Sequence, residues 1–229
     1  MREFREILRK ISDSVIETYR RHCKYRYRSV PLCMRNPDAT KEKILIKSGI
    51  LFNTQGYKAT SISDITTSTG FTKGAIYRHF KSKAHLERDT LFHLSSIMFG
   101  KLQERIKCES TAGDKLRAVF RYFESYITSP PLKGGCPLLN AAIEADDSNP
   151  GLRKEAVKIL DILRDSVVHI LKNGIRYNQI KKDTDLEFYA TIVISSLEGA
   201  IMMSKLRGDN HDVRRVIKHL ESQLKCIEL

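Results

Sequence analysis

Two short amphipathic patterns separated by a turn stand out between residues 60 and 83 of the 229-residue chain. In the first, Ile62 and Ile65 repeat at helical spacing. Ser61 stands just before them as a candidate N-cap. Asp64, three residues later, completes a capping box, in which each side chain accepts a hydrogen bond from the other residue's backbone N–H. The pattern predicts a short helix that begins after Ser61.

A second short helix follows a turn at Gly70 and Phe71. Glycine permits a left-handed backbone, and Phe71 supplies an apolar side chain that fills the space between the two helices. Thr72 is the candidate N-cap of the second helix, whose body is residues 73–79 and whose far end is anchored by Phe80. Helix, turn and helix in this order form the helix-turn-helix arrangement.

The outward positions of the second helix carry side chains that suit nucleic acid. A helix-turn-helix places the N-terminal end of its second helix in the DNA major groove. Hydroxyls, cations and a phenol hydrogen-bond to phosphates and base edges, and the helix N-terminus adds partial positive charge. These side chains belong to Thr72, Lys73, Tyr77, Arg78, His79 and, just beyond the helix, Lys83. Gly74 leaves room for close approach of the backbone. The alternative is a small helical domain with an ordinary polar surface.

The rest of the chain shows further helical patterns and no β-rich run, which predicts an all-α fold. The patterns cover residues 40–55 before Gly56, 82–108 with a break or a kink near Gly100, 115–127, 152–172 before a loop at Asn173 and Gly174, 184–206 before Gly208, and 212–226. Thr184 and Glu187 form a second capping box. We expect an N-terminal three-helix DNA-binding domain over residues 37–86 and a larger C-terminal helical domain over residues 87–229.

The last two predicted helices differ in their patterns. The first is apolar nearly all round, which predicts burial on every side. The second has a single apolar stripe, formed by Val213, Ile217, Leu220 and Leu224. Two such helices can form a four-helix bundle with the same pair from a second subunit. Packing within one chain is the alternative.

Positive charge is concentrated towards the N-terminus of a chain whose net charge is +13 and whose pI is ≈ 9.6. Residues 1–33 hold 9 basic and 4 acidic groups, residues 34–88 hold 10 and 4, and residues 89–229 hold 21 and 19. A localised excess is typical of proteins that bind a polyanion. Nucleic acid and a membrane surface are the two candidates.

Residues 1–36 form a basic N-terminal extension in which cations alternate with tyrosines between residues 20 and 28. Three interpretations fit this segment. It can be an arm that adds phosphate contacts beside the helix-turn-helix, or a basic amphipathic helix on a membrane. It can also lie upstream of the true start of translation, with Met34 as the initiator.

Candidate chemistry for catalysis or metal binding is sparse. The five cysteines are widely spaced and include no C-x-x-C pair, which argues against a structural zinc site and favours reduced thiols. Since the sequence also has no Gly-rich phosphate loop and no nucleophile motif, we predict no metal, no cofactor and no enzyme activity. No unbroken apolar run approaches the roughly 18 residues that cross a membrane. A signal-peptide pattern is likewise lacking, so we expect a cytoplasmic protein.

From Thr40 to Leu86 the chain resembles the N-terminal domain of the tetracycline-repressor (TetR) family of bacterial transcription regulators. The resemblance is carried by Ile44, Phe52, Gly56, Tyr57, Thr60, Ser61, Ile62, Asp64, Ile65, Gly70, Phe71, Lys73, Gly74, Ala75, Ile76, Tyr77, Arg78, His79, Phe80, Lys83 and Leu86. Two departures are Gly49, where the family usually has alanine, and His85, where an acidic residue often stands. The resemblance implies that operator DNA contacts Ser61, Thr72, Lys73, Gly74, Tyr77, Arg78, His79 and Lys83.

The resemblance also implies a homodimeric repressor that leaves a palindromic operator when a small-molecule inducer binds its C-terminal domain. Candidates for the ligand pocket are Met98, Phe99, Phe120, Phe123, Tyr126, Cys136 and Leu138. The alternative, which the residues taken singly favour, is that each occupies an ordinary core position.

Two other readings stay open. Cys136 follows two glycines, and a helix N-terminus there would lower its pKa and make it a sensor of electrophiles or oxidants. A ligand-independent architectural DNA-binding protein is the other.

Overall fold

A computed structural model describes residues 37–130 and 132–229 of the chain, so the predictions for the basic N-terminal extension lie outside the described residues. The described residues form nine α-helices: α1 Pro37–Gln55, α2 Ile62–Thr69, α3 Lys73–His79, α4 Lys83–Lys107, α5 Ala112–Thr128, α6 Pro137–Ala145, α7 Pro150–Arg176, α8 Leu186–Arg207 and α9 His211–Ile227. Their sole β-type pairing is an isolated antiparallel bridge between Ile180 and Glu228. The predicted all-α fold is confirmed.

Helices α1 to α3 and the start of α4 form a small head around one apolar cluster. Helix α1 packs against both α2 and α4. Phe52 of α1 stacks on Tyr57 with ring centroids 4.8 Å apart. The buried side chains of this cluster include Ile44, Phe52, Tyr57, Ile65, Ile76, Phe80 and Leu86. Helix α1 already includes Pro37, Asp38 and Ala39, so the expected start at Thr40 is wrong.

Helix α4 leads from the head into the body formed by α5 to α9. It packs on α1 in the head and on α5, α6 and α7 in the body. The predicted break at Gly100 is wrong, since α4 continues unbroken from Lys83 to Lys107. A Cβ atom at Gly100 would meet nothing within 4 Å, so the surrounding packing does not require glycine at this position.

Two predicted features of the body are also wrong. The expected loop at Asn173 and Gly174 is part of α7, which ends at Arg176. A Cβ atom at Gly174 would lie 2.4 Å from Ile180 Cγ1. The glycine therefore allows Ile180 to pack closely against α7 and does not mark a loop. The start of α8 is capped by Asp185, whose carboxylate accepts a hydrogen bond from the Phe188 N–H at 3.0 Å, not by a Thr184 box.

Helices α8 and α9 pack on each other, and both contact α5. The apolar stripe of α9 lies inside its own chain, where Val213, Ile217, Leu220 and Leu224 are at most 8% exposed. Burial of α8 on every side is not observed. Its outward face exposes Phe188, Ile192, Met202, Met203 and Leu206.

Helix α8 is also the one described helix that is long and apolar enough to cross a membrane by length and composition alone. Of the window that meets this test, 39% is buried inside the structure. Because α8 packs against α5, α7 and α9, it serves as a helix of the body.

Candidate functional site

The helix-turn-helix is held in shape by local caps. The Ser61 hydroxyl oxygen accepts a hydrogen bond from the Asp64 N–H at 3.2 Å, and the Ser61 N–H donates to Asp64 Oδ2 at 2.7 Å. These bonds to Ser61 lower the pKa of the Asp64 carboxyl. Gly70 ends α2 with φ 74°, a left-handed conformation that favours glycine. Thr72 then caps α3 by accepting from the Ala75 N–H at 3.2 Å. The predicted caps and turn are confirmed.

Helix α3 is anchored on one side and exposed on the other. Ile76 and Phe80 are buried in the head. The opposite side exposes five of the predicted DNA-contacting residues: Thr72, Lys73, Gly74, Tyr77 and Arg78. The Lys73 ammonium lies 5.9 Å from the centre of the Tyr77 ring. No acidic side chain stands in the first turn of α3, so its N-terminal end presents donors and positive charge alone.

The other three predicted DNA-contacting residues have partners within the head. The Ser61 hydroxyl donates to Asp64 Oδ2 at 2.7 Å while it caps α2. The Lys83 ammonium donates to the Tyr57 carbonyl at 2.7 Å and pairs with Glu87 at 3.4 Å. His79 is half-buried, with its ring centre 6.3 Å from that of Phe80. Ser61, His79 and Lys83 therefore make contacts within the head and also lie near its outer surface.

In the body, the predicted pocket residues converge between α4, α5 and α6. All except the half-buried Phe99 are buried: Met98, Phe120, Phe123, Tyr126, Cys136 and Leu138. The Tyr122 hydroxyl donates to the Met98 carbonyl at 3.2 Å. The Tyr126 ring centre lies 5.6 Å from that of Tyr122 and 5.9 Å from that of Phe123. Aromatic side chains of α5 therefore form one wall of this region.

Cys136 stands at the N-cap of α6, but its thiol does not cap the helix. The Sγ–H donates instead to Glu198 Oε1 of α8 at 3.0 Å. Burial, and then the nearby Glu198 carboxylate, raise the pKa of the Cys136 thiol well above its ordinary value. The expected lowering of this pKa by the helix N-terminus is wrong, because burial and a neighbouring negative charge outweigh the helix dipole.

Glu198 was missed by sequence reasoning. Burial raises the pKa of its carboxyl to about 7. Its Oε2 atom is buried and has no hydrogen-bond partner among the described residues, and the same holds for the Tyr126 hydroxyl. The signal in the sequence is a single acidic residue within the apolar run of α8, between Leu197 and Gly199. An acid in that setting is either exposed or reserved for a specific partner.

A second group that sequence reasoning missed joins the head to the body. The Asn53 side chain of α1 donates to the Lys133 carbonyl at 2.7 Å and to the Gly135 carbonyl at 2.9 Å. Asn140 of α6 donates to Asn53 Oδ1 at 2.8 Å and to the Gly134 carbonyl at 3.1 Å. Gly134 has φ 99°, and a Cβ atom there would lie 2.2 Å from the Asn53 carbonyl oxygen. The loop before α6 is therefore bonded directly to α1.

The far end of α6 holds the head at another point. Glu144 accepts hydrogen bonds from the Tyr57 and Lys58 N–H groups, both at 3.1 Å. Next to it, Asn149 donates to Glu87 of α4 at 3.0 Å. Helix α6 thus contacts the head at both of its ends. These bonds attach α6 to α1 and to the segment between α1 and α2.

Metal-ligating side chains are scattered. Across the described ranges 37–130 and 132–229, no three His, Cys, Asp or Glu side chains cluster closely enough to hold a metal ion.

Comparison with known protein families gives two matches, one within the head and one within the body. The model described as bacterial regulatory proteins, tetR family, matches residues 50–88. The model described as tetracyclin repressor-like, C-terminal domain, matches residues 112–220. Residues 89–111, between the two matches, comprise most of the long helix α4 and the short segment that follows it.

Similar proteins agree with these matches. A crystal structure of a TetR transcriptional regulator from Chloroflexus aurantiacus superposes with a TM-score of 0.82 at 32% identity, over 86% of this chain and 100% of that one. The transcriptional repressor DhaR of a Mycobacterium species is 25% identical over 72% of this chain and 82% of its own length. The repressor KstR2 of Mycolicibacterium smegmatis is 30% identical over 84 residues, and this match spans 37% of the chain and 41% of that protein.

Proposed function

This chain belongs to the tetracycline-repressor family of bacterial transcriptional regulators, and on that basis we propose that it is a homodimeric repressor which a small molecule releases from a palindromic operator. It is a regulator and not an enzyme. The observation that carries the DNA-binding proposal is the exposed side of α3, which presents hydroxyl, ammonium, phenol and guanidinium groups beside a helix N-terminus. We place the protein in the cytoplasm, where operator DNA is accessible.

The DNA contacts divide by chemistry. Lys73 and Arg78 are suited to phosphates and guanine edges, and Tyr77 to a phosphate or a base edge. Thr72 and Gly74 lie at the helix N-terminus, where backbone N–H groups donate hydrogen bonds to a phosphate. Ser61, His79 and Lys83 complete the proposed set from the rim of the head.

The dimer follows from the size of the recognition surface and from the outer face of α8. One seven-residue recognition helix contacts too few base pairs for useful specificity, whereas a two-fold dimer reads two half-sites about one helical turn apart. Apolar side chains exposed on α8 supply the contact area, among them Phe188 at 63% and Leu206 at 81% exposure. The prediction of a dimer through the last two helices stays a prediction. Its apolar contribution comes mainly from α8, since the stripe of α9 is used inside the chain.

Release by a small molecule is favoured over the two other readings. A thiol sensor needs an accessible thiolate, and Cys136 is 1% exposed with a raised pKa. A ligand-independent architectural protein would be favoured by a C-terminal core that is filled and whose buried polar groups are paired. Glu198 Oε2 and the Tyr126 hydroxyl are buried there without partners.

Binding to the DNA that flanks the protein's own gene tests the proposal. Fluorescence anisotropy across a salt series is measured for the wild type, Tyr77→Ala and Lys73→Ala. We expect sequence-selective binding that weakens as salt rises, and a loss of about tenfold or more in affinity for each variant. Lys158→Ala is the matched control, because this lysine pairs with Glu155 on α7 in the body and is expected to leave affinity unchanged. Weak, sequence-indifferent binding that neither head variant alters would refute the proposal.

A further inference from the structure

A buried polar cluster lies between α5, α6 and α8, and the DNA-binding head does not use it. Glu198 accepts from the Cys136 thiol at 3.0 Å through Oε1, while Oε2 has no partner among the described residues. The Tyr126 hydroxyl is also unpartnered, on a side chain that is 2% exposed. Two acceptor oxygens are therefore buried in an aromatic setting with their hydrogen-bonding capacity unused.

Such an arrangement costs free energy unless something pairs with it. A buried carboxylate oxygen without a donor loses its hydration and gains nothing in return. Unpaired buried polar groups in native proteins commonly mark binding sites or proton-linked sites. No lysine, arginine or histidine among the described residues forms a direct ion pair with Glu198. The ammonium of Lys205, on the same helix, donates to the Gly134 carbonyl.

The groups that face the cluster define what it can accept. Cys136 from α6 and Tyr122 and Tyr126 from α5 are all neutral at pH 7, since burial raises the pKa of each. The guanidinium of Arg105 from α4 lies 5.1 Å from the Tyr122 ring centre. The cluster therefore offers one carboxylate, one phenol oxygen and the faces of aromatic rings. A cation that donates hydrogen bonds satisfies all three.

We propose that Glu198, Tyr126 and Cys136 form the polar end of the effector site, and that the effector is an organic amine which binds as a cation beside aromatic rings. The inference rests on the proposed ligand-released function and names the chemical class of its ligand. An anionic ligand would face the carboxylate and be repelled. A neutral one would leave the buried charge uncompensated.

The position of the site also explains how an amine would act on the head. The residue that bonds to Glu198 is Cys136, and the two residues before it are Gly134 and Gly135. Their carbonyls accept hydrogen bonds from Asn140 and Asn53, which tie this loop to α1. A cation that pairs with the Glu198 carboxylate displaces the Cys136 thiol from it. The loop of Gly134 and Gly135 then shifts, and its hydrogen bonds to α1 change.

Calorimetry and thermal shift on the full-length protein test the ligand class without DNA, so the outcome is independent of repression. The probes are 3-phenylpropylamine, 3-phenylpropanol and 3-phenylpropionate, which share one skeleton and differ in charge. We expect the amine to bind at least about tenfold more tightly than the other two. Its affinity should rise about tenfold from pH 6 to pH 8, because the Glu198 carboxyl ionises across this range.

Three variants test which residues bind the amine. Glu198→Gln is expected to lose about tenfold or more in amine affinity and to flatten the pH dependence. Tyr126→Phe keeps the ring and is expected to lose a few-fold. Glu187→Gln, an exposed carboxylate on the same helix that pairs with Arg164, is the matched control and should be unchanged. The inference is overturned if the alcohol binds as tightly as the amine or if the amine does not bind up to about 10 mM. It is also overturned if the affinity of the wild type for the amine does not change with pH. DNA binding that survives any of these results leaves the regulator proposal intact.

Discussion

The recognition helix α3 has a glycine, Gly74, on its exposed side. A Cβ atom there would meet nothing within 4 Å. Packing in the free protein therefore gives no reason for glycine, and a glycine in a helix is destabilising by roughly 0.5–1 kcal/mol relative to alanine. Because Gly74 lies on the outward side of the proposed recognition helix, we propose that it allows the DNA backbone to approach closely.

Gly74→Ala is expected to raise the thermal stability of the head and to weaken operator binding by about tenfold, since the added methyl group stands where the DNA backbone approaches. Thermal unfolding and anisotropy on the same samples measure the two effects. The matched control is Gly100→Ala, a helical glycine on α4 with an equally open surrounding, which should gain stability without losing affinity. Unchanged DNA affinity in Gly74→Ala would contradict close approach at this site.

At the scale of the element, α6 is short but contacts the head from both ends. Its N-terminal loop is bonded to Asn53 of α1, and Glu144 near its C-terminal end accepts from the N–H groups of Tyr57 and Lys58. These bonds connect residues 80 or more positions apart in the sequence. We propose that a displacement of α6 reaches the head through these bonds, because packed elements move as units and do not deform continuously.

Glu144→Ala removes one of these two attachments. We expect the Tyr57 and Lys58 amides to exchange with solvent about tenfold faster or more, because their acceptor is lost, with a cost of about 1–3 kcal/mol in the stability of the head. Amide hydrogen exchange followed by NMR measures this directly. Asp147→Ala, an exposed acid just beyond α6, is the control and should leave both amides protected. Equal exchange in the two variants would mean that α6 does not hold the head.

For the whole molecule, the outer face of α8 is the proposed dimer surface. A contiguous apolar face on a helix is costly in water and is commonly covered by a partner. Helix α8 also carries Glu198 and Lys205, which contact the loop before α6. The proposed dimer surface and the proposed effector site therefore share one helix.

Phe188→Glu places a charge on this face and is expected to convert the dimer into a monomer, weakening the dimer by about a hundredfold or more. Light scattering coupled to size-exclusion chromatography measures the mass, and affinity for a full operator should fall with it. Tyr177→Ser alters a side chain of similar exposure, 57%, beyond the end of α7 and should remain dimeric. A Phe188→Glu protein that stays dimeric would remove α8 from the interface.

Local sequence rules are sufficient to predict the caps and the turn of the head. The caps at Ser61 and Thr72 and the turn at Gly70 depend on residues within four positions of one another, so pattern alone was sufficient to predict them. The all-α fold followed from hydrophobic periodicity for the same reason. Local rules failed where tertiary packing overrode them: Gly174 and Gly100 stand inside continuous helices, which nothing in their immediate neighbours indicates.

The partners of the buried polar residues depend on packing between helices, which local rules do not describe. Glu198 meets Cys136 across 62 positions, and Asn53 meets Gly135 across 82. Periodicity carries no information about such pairs, because each partner satisfies its own helix pattern equally well elsewhere. The fold also reversed the sign of one expectation: burial and Glu198 raise the pKa of the Cys136 thiol that a helix N-terminus alone would have lowered. Electrostatic character depends on the three-dimensional surroundings of a group, and these are set by packing between helices that are distant in the sequence.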